Sequence, residues 1–172
     1  MPVGNLLLCA AILLSGGIFS SISLFAASLN IVFISKSLFY DLQKSVLWPV
    51  INKAWNDHVG LLRMIAKDKA VKLCGDCQCD SPGYSATLGT YSVRTMDSGH
   101  ILGFSQVHVS ETSSSVAMER EGLSGLLKEL QMNGLSVSPL ATDRSPRIHA
   151  MMRKDFSYIP HQFCKVCNQK AS

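Results

Sequence analysis

Asp76, Asp80 and Asp143 are the side chains whose type and setting allow chemistry. The first two lie in Gly75-Asp76-Cys77-Gln78-Cys79-Asp80-Ser81-Pro82-Gly83, after a short apolar run, and the third in Ala141-Thr142-Asp143-Arg144, after another. Carboxylates at the ends of two separate strands supply hard oxygens that a sheet can hold rigidly for Mg²⁺, which is what a metal-dependent phosphodiester-cutting site requires. Asp76 and Asp143 are therefore the candidate catalytic pair and metal ligands. Asp80, four residues further on in a turn made by Ser81-Pro82-Gly83, is the alternative first ligand. The plain alternative is that Asp76 and Asp143 are ordinary turn residues at strand ends.

Cysteines form a second pattern. Cys74-x-x-Cys77-x-Cys79 and Cys164-x-x-Cys167 have the spacing by which paired thiolates reach one zinc ion, so a structural Zn²⁺ at the end of the sheet is a lesser alternative to reduced free thiols. With Cys9 the total is six, but their crowding into two clusters fits a disulfide-stapled miniprotein poorly. His161, beside Gln162, is within reach of a metal, but for a lone histidine near a strand start a surface or hydrogen-bonded role is the ordinary one. Glu119 and Glu121 open a helix, and the helix dipole suffices to explain them.

The elements that must position these residues follow from periodicity. Met1 to Ser35 contains no charged side chain, yet Ser15-Gly16-Gly17 and scattered serines interrupt it, so two soluble helices joined at Gly16-Gly17 compete with a membrane or secretory address. Ser37 is placed to cap a helix through Leu38, Leu42 and Val46, Pro49 to kink or restart it, and further helical stretches to carry Trp55 and Leu61 to Ile65. From Ala70 the pattern turns to strands at Val71–Cys74, Thr90–Arg94 and Ile101–Val109, the last two a hairpin around Asp97-Ser98-Gly99-His100. Then come a serine-rich loop, a helix over Met118–Met132, a strand at Leu135–Leu140, a helix over Pro146–Lys154 and a strand from Tyr158 to Phe163. A hairpin-linked trio followed by helical crossovers predicts a mixed sheet with the fourth and fifth strands parallel to the first. The expected class is α+β: a helical segment over residues 1–68 and a ribonuclease H-like core over 69–172. Neighbouring first and fourth strands would set Asp76 beside Asp143.

Four stretches, GDCQCDSPGYSATLGTYSV, VAMEREG, TDRSPRI and IPHQFCKVC, resemble the catalytic core of Kolobok-type cut-and-paste DNA transposases, whose members show GDGRCDSPG, GTYT, AMEKEG, TDRH and HQFD in that order. The helical first half resembles the region preceding that core. The resemblance implies a soluble helical layer, a nuclear location, transposon-end DNA as partner, a possible homo-oligomer, no small-molecule substrate, and Mg²⁺ or Mn²⁺ at Asp76 and Asp143. In such an enzyme two divalent ions about 4 Å apart act on an in-line displacement at phosphorus. The chain departs from the family at Cys77 for glycine, Ser145 for histidine and Cys167 for histidine. A third acidic residue is expected well beyond the last strand, and the chain ends at Ser172, so the resemblance implies a truncated or decayed copy without independent strand cutting. The competing expectations are a non-catalytic DNA- or protein-interaction remnant, or a small membrane-associated or secreted protein. The net charge of +4 is compatible with a polyanionic partner and with an ordinary basic surface.

Overall fold

The computed structural model describes residues 2–81, 85–112 and 114–164, without the side chains of 115 and 116. The chain divides into two compact units, Met1–His58 and Val59–Ser172, with the boundary inside a helix.

The first unit is helical. α1 (Val3–Leu14) ends in a turn where Gly16 has φ +69°, and α2 (Phe19–Ser28) follows, so the Gly16-Gly17 joint expected from sequence is present. α3 (Lys36–Leu42) is capped by Ser35, whose hydroxyl accepts from the Leu38 N–H at 3.2 Å; the cap expected at Ser37 lies two residues too late. A π-helical turn, Gln43–Leu47, leads into α4 (Trp48–Ala66), a single helix where separate stretches were expected. The wider turn falls where Pro49 has no N–H for the Ser45 carbonyl, and the helix restarts there rather than breaking. Cys9, Ile12, Phe39, Leu42 and Leu47 form the small core, with Phe19 against Phe39 at 4.7 Å between ring centroids. Among the described residues no helix is long and apolar enough to cross a membrane.

The second unit is a mixed five-stranded sheet with helices, so the chain is α+β. The strands are β1 (Ala70–Cys79), β2 (Leu88–Thr95), β3 (Ile101–His108), β4 (Ser136–Thr142) and β5 (His161–Phe163), in the spatial order β3-β2-β1-β4-β5. β1, β2 and β3 are antiparallel neighbours; β4 runs parallel to β1, and β5 parallel to β4, as the crossovers predicted. At the β2–β3 turn, Gly99 takes φ +73° and donates its N–H to the Thr95 carbonyl at 3.0 Å, a left-handed position that suits glycine.

α5 (Ser115–Met132) covers β2 and β3, and α6 (Pro146–Asp155) is the second crossover helix. Leu123, Leu126, Leu127 and Leu130, at helical spacing, are fully buried in one core with Leu73, Tyr91, Val93, Leu102, Leu140 and Ile148. The last stretch of α4 belongs to this unit: Leu62 and Ala66 pack on the core, and Arg63 donates from Nε to the Leu102 carbonyl at 3.1 Å and from a terminal nitrogen to Glu129 at 2.8 Å.

Two features set the site's register. β1 is longer than the expected Val71–Cys74 strand and runs to Cys79, so Asp76 lies inside it and not at its end. Between β1 and β4 the pairing shifts: Val71 faces Val137, but Leu73 faces Leu140, so β4 spends one extra residue around Pro139, which has no N–H to offer a ladder. A regular ladder would have set Asp76 level with Thr142. With the extra residue Cys74 pairs Ala141, the last pair of this ladder, and the same register carried two residues further, one past the end of β4, sets Asp76 level with Asp143.

Candidate functional site

Asp76 and Asp143 are both solvent-exposed at this level of the sheet. One Asp76 oxygen accepts from the Cys77 N–H at 2.9 Å. Asp143, just past β4, accepts from the Ser145 N–H at 3.2 Å as the chain turns into α6, where Pro146 takes the first helical position. Thr142, fully buried beneath it, bonds His161 Nε2 at 2.8 Å and the Asp143 carbonyl at 3.0 Å, which gives His161 the hydrogen-bonded role expected of it.

Asp80 is engaged elsewhere. Its oxygens accept from the Thr87 N–H at 3.0 Å and the Thr87 hydroxyl at 2.5 Å, while its own N–H donates to the Leu88 carbonyl. The Thr87 hydrogen bond holds its carboxyl below the usual range, so Asp80 pins the two ends of the 81–87 connection together.

The carboxylate that sequence reading passed over is Glu119, assigned there only to the helix dipole. It is half-buried on α5, and Ser145 Oγ donates to its Oε2 at 3.1 Å. Burial raises its pKa first, and the charges of Asp143 and, less strongly, Asp76 raise it further, while the Ser145 hydrogen bond and, least, the Arg147 charge oppose them. The signal was present in the spacing: 119, 123, 126 and 130 lie on one helical stripe, so Glu119 is an acidic residue continuing a row of leucines.

Tyr91 of β2, on the core face of the sheet, is only 1 % exposed, and its hydroxyl has no hydrogen-bond partner among the described residues. It lies against Gly75: a Cβ there would stand 2.9 Å from the hydroxyl oxygen. Burial raises its pKa, with the charges of Glu119, Asp143 and Asp76 adding to the effect. A buried donor left unpaired is unfavourable, and this one sits within the field of three carboxylates.

Asp76 also lines a cavity of about 380 Å³ with Cys74, Ser92, Arg94 and Cys164, in which Arg94 Nε donates to Cys74 Sγ at 3.2 Å. Cys77 instead packs against the core. Three residues apart in one strand, Cys74 and Cys77 project to opposite sides of the sheet, so their CxxC spacing does not bring the thiols together. Cys167 lies outside the described residues, as do Pro82 and Gly83 of the turn after Asp80. Among the described residues no three His, Cys, Asp or Glu side chains converge as a metal-holding group.

Burial, followed by the neighbouring Cys79, pushes the Cys77 thiol from its ordinary value near 9.0 up to about 12. An unfolded chain loses that proton first, so the contribution is fully present below the unfolded value and is lost as pH rises toward the folded one. The urea midpoint is expected to be lower at about pH 10.5 than at about pH 8, and Cys77→Ala should flatten that dependence. Equal slopes for wild type and variant would contradict the assignment.

No protein-family model matches the chain, and no curated protein sequence matches it.

Proposed function

We propose that this is a transposase-derived protein with a ribonuclease H-like core that binds Mg²⁺ or Mn²⁺ through Asp76 and Asp143, in keeping with its resemblance to Kolobok-type transposases. The ancestral activity on this reading is DNA strand cleavage and transfer at transposon ends, in the nucleus. One observation carries it: the register shift around Pro139 sets Asp76 of β1 level with Asp143, one residue past the end of the parallel neighbour β4, where strand-end turns alone have no need of that coincidence. The strand order, with β1 between β2 and β4, supports the same reading.

Hard carboxylate oxygens suit Mg²⁺ or Mn²⁺. When bound, the ion supplies Lewis-acid activation of a phosphoryl oxygen and an attacking hydroxyl. Asp76 and Asp143 would hold it, the Ser145 N–H fixing one oxygen of Asp143. Both side chains are exposed and can rotate to a shared ion.

Calorimetric titration with Mn²⁺ tests this. Wild type is expected to bind, and Asp143→Ala to weaken binding by at least about tenfold, the smallest loss seen even for partners behind the ligands. Absence of Mn²⁺ binding by the wild type, or full binding by Asp143→Ala, would sink the reading.

A further inference from the structure

Resting on that reading for the nature of its partner, we propose that the cleft between α5 and α6 is a separate, metal-independent site that grips the phosphate backbone of double-stranded DNA through Arg120, Arg147 and Lys154. The cleft has a volume of about 520 Å³. Arg120 reaches it from α5 and Arg147 and Lys154 from α6, while Ala117, Ala150 and the buried Met151 line it without filling it. Arg147, Ala150 and Lys154 recur at steps of three and four residues, so they lie along one stripe of α6. Seven residues of helix advance about 10 Å, and one DNA strand carries a charge about every 3.4 Å along its axis, so that stripe matches about three successive phosphates.

Charge makes the cleft a place for a polyanion. Among the described residues its three cations face a single carboxylate, Asp155. Arg120 stands 3.8 Å from that carboxylate with both side chains about half exposed, beyond charge-assisted hydrogen-bond length, so the pair is loose enough for a phosphate to replace it. Among the described residues neither Arg147 nor Lys154 forms an ion pair. Like charges gathered in a cleft focus their field on an incoming polyanion, and the guanidinium fork matches phosphate oxygens. Position selects DNA as the occupant. Arg147 lies two residues beyond Ser145, whose N–H holds Asp143 and whose hydroxyl holds Glu119, and the Arg147 charge is felt at Glu119. A backbone gripped along α6 therefore runs toward Asp143, with phosphate contacts setting its register and reading no sequence.

The full chain is titrated into a fluorescein-labelled duplex of random sequence without divalent metal, and anisotropy gives the affinity from about 50 to 200 mM salt. Three phosphate contacts predict a slope of log affinity against log salt of about −2.7, and Arg147→Gln and Lys154→Gln should each bring it about 0.9 closer to zero. Lys69→Gln, an exposed position just before β1 at the end of the sheet away from Asp143, should keep the wild-type slope. No duplex binding by the wild type, or an equal change of slope in Lys69→Gln, would overturn the proposal. So would polyglutamate binding the cleft more tightly than the duplex, which would make an acidic protein segment the occupant. Wild-type slopes in both cleft variants, beside loss of Mn²⁺ by Asp143→Ala, would leave the two-aspartate reading standing and this proposal fallen. Reduced slopes in both variants, beside a wild type that binds no Mn²⁺, would keep the DNA cleft and sink the metal site.

Discussion

Leu126→Ala is expected to destabilise the sheet-bearing unit by about 2–5 kcal/mol, the range for emptying a fully buried leucine site. Leu126 has no exposed surface and belongs to the α5 stripe that closes the core over the sheet. Its surroundings are rigid. A Cβ built on Gly103 of β3 would lie 2.9 Å from Leu126 Cδ1, so strand backbone forms one wall of the site and cannot move in without breaking ladder hydrogen bonds. The result should fall toward the upper half of the range, since the site collapses poorly. Urea denaturation checks it, with exposed Lys128→Ala as a control expected to stay within about 0.5 kcal/mol. A loss below about 1 kcal/mol for Leu126→Ala would show that α5 does not seat on the sheet as described.

Gly75→Val should be nearly as damaging, by the opposite mechanism. A first added carbon would already stand 2.7 Å from Tyr91 Cε1, closer than side-chain contacts are found, and valine adds two more methyl groups. Tyr91 cannot swing aside freely, because its ring is buried among Val93, Leu123 and their neighbours. Overpacking of this kind costs about 1–3 kcal/mol, and more where both residues sit on paired strands. The double variant Gly75→Val/Tyr91→Ala should recover part of the loss that the two single changes predict when summed. Simple additivity in urea unfolding would contradict the close approach. The same contact gives a physical reason for glycine immediately before Asp76.

Sequence made the order of strands and helices visible wherever one period dominated. The α5 leucines and the β2–β3 hairpin with Gly99 at its turn are where periodicity and turn chemistry placed them. Parallel pairing of β4 and β5 followed from the need to cross over by a helix. Boundaries were harder. Cys77, Gln78 and Cys79 lie beyond the Val71–Cys74 strand that the apolar run predicts, yet they pair with Tyr91, Thr90 and Gly89, so tertiary pairing extends β1 past Asp76. Pro49 suggested a kink or restart, and the helix does restart there, but through a π-helical turn that joins α3 to a single long α4.

The site was half legible for similar reasons. Asp76 and Asp143 announced themselves by following apolar runs, but their alignment depends on the extra residue around Pro139, a long-range pairing feature that no local spacing reveals. Asp80 resembled Asp76 until the Thr87 hydroxyl and N–H claimed both of its oxygens. Glu119 had two explanations in one residue, a dipole partner near a helix start and an acid on an apolar stripe. Only the approach of Ser145 from the α6 entry separates them.

Paramagnetic broadening by substoichiometric Mn²⁺ on the uniformly ¹⁵N-labelled chain tests the central claim most directly, because it locates the ion without requiring activity. The account predicts that the amide signals of Asp76, Cys77, Asp143 and Ser145 disappear first, while those of Gln131 and Met132, at the far end of α5, persist. Broadening spread evenly over the chain, or centred on Asp80 and Thr87 with Asp143 untouched, would contradict it.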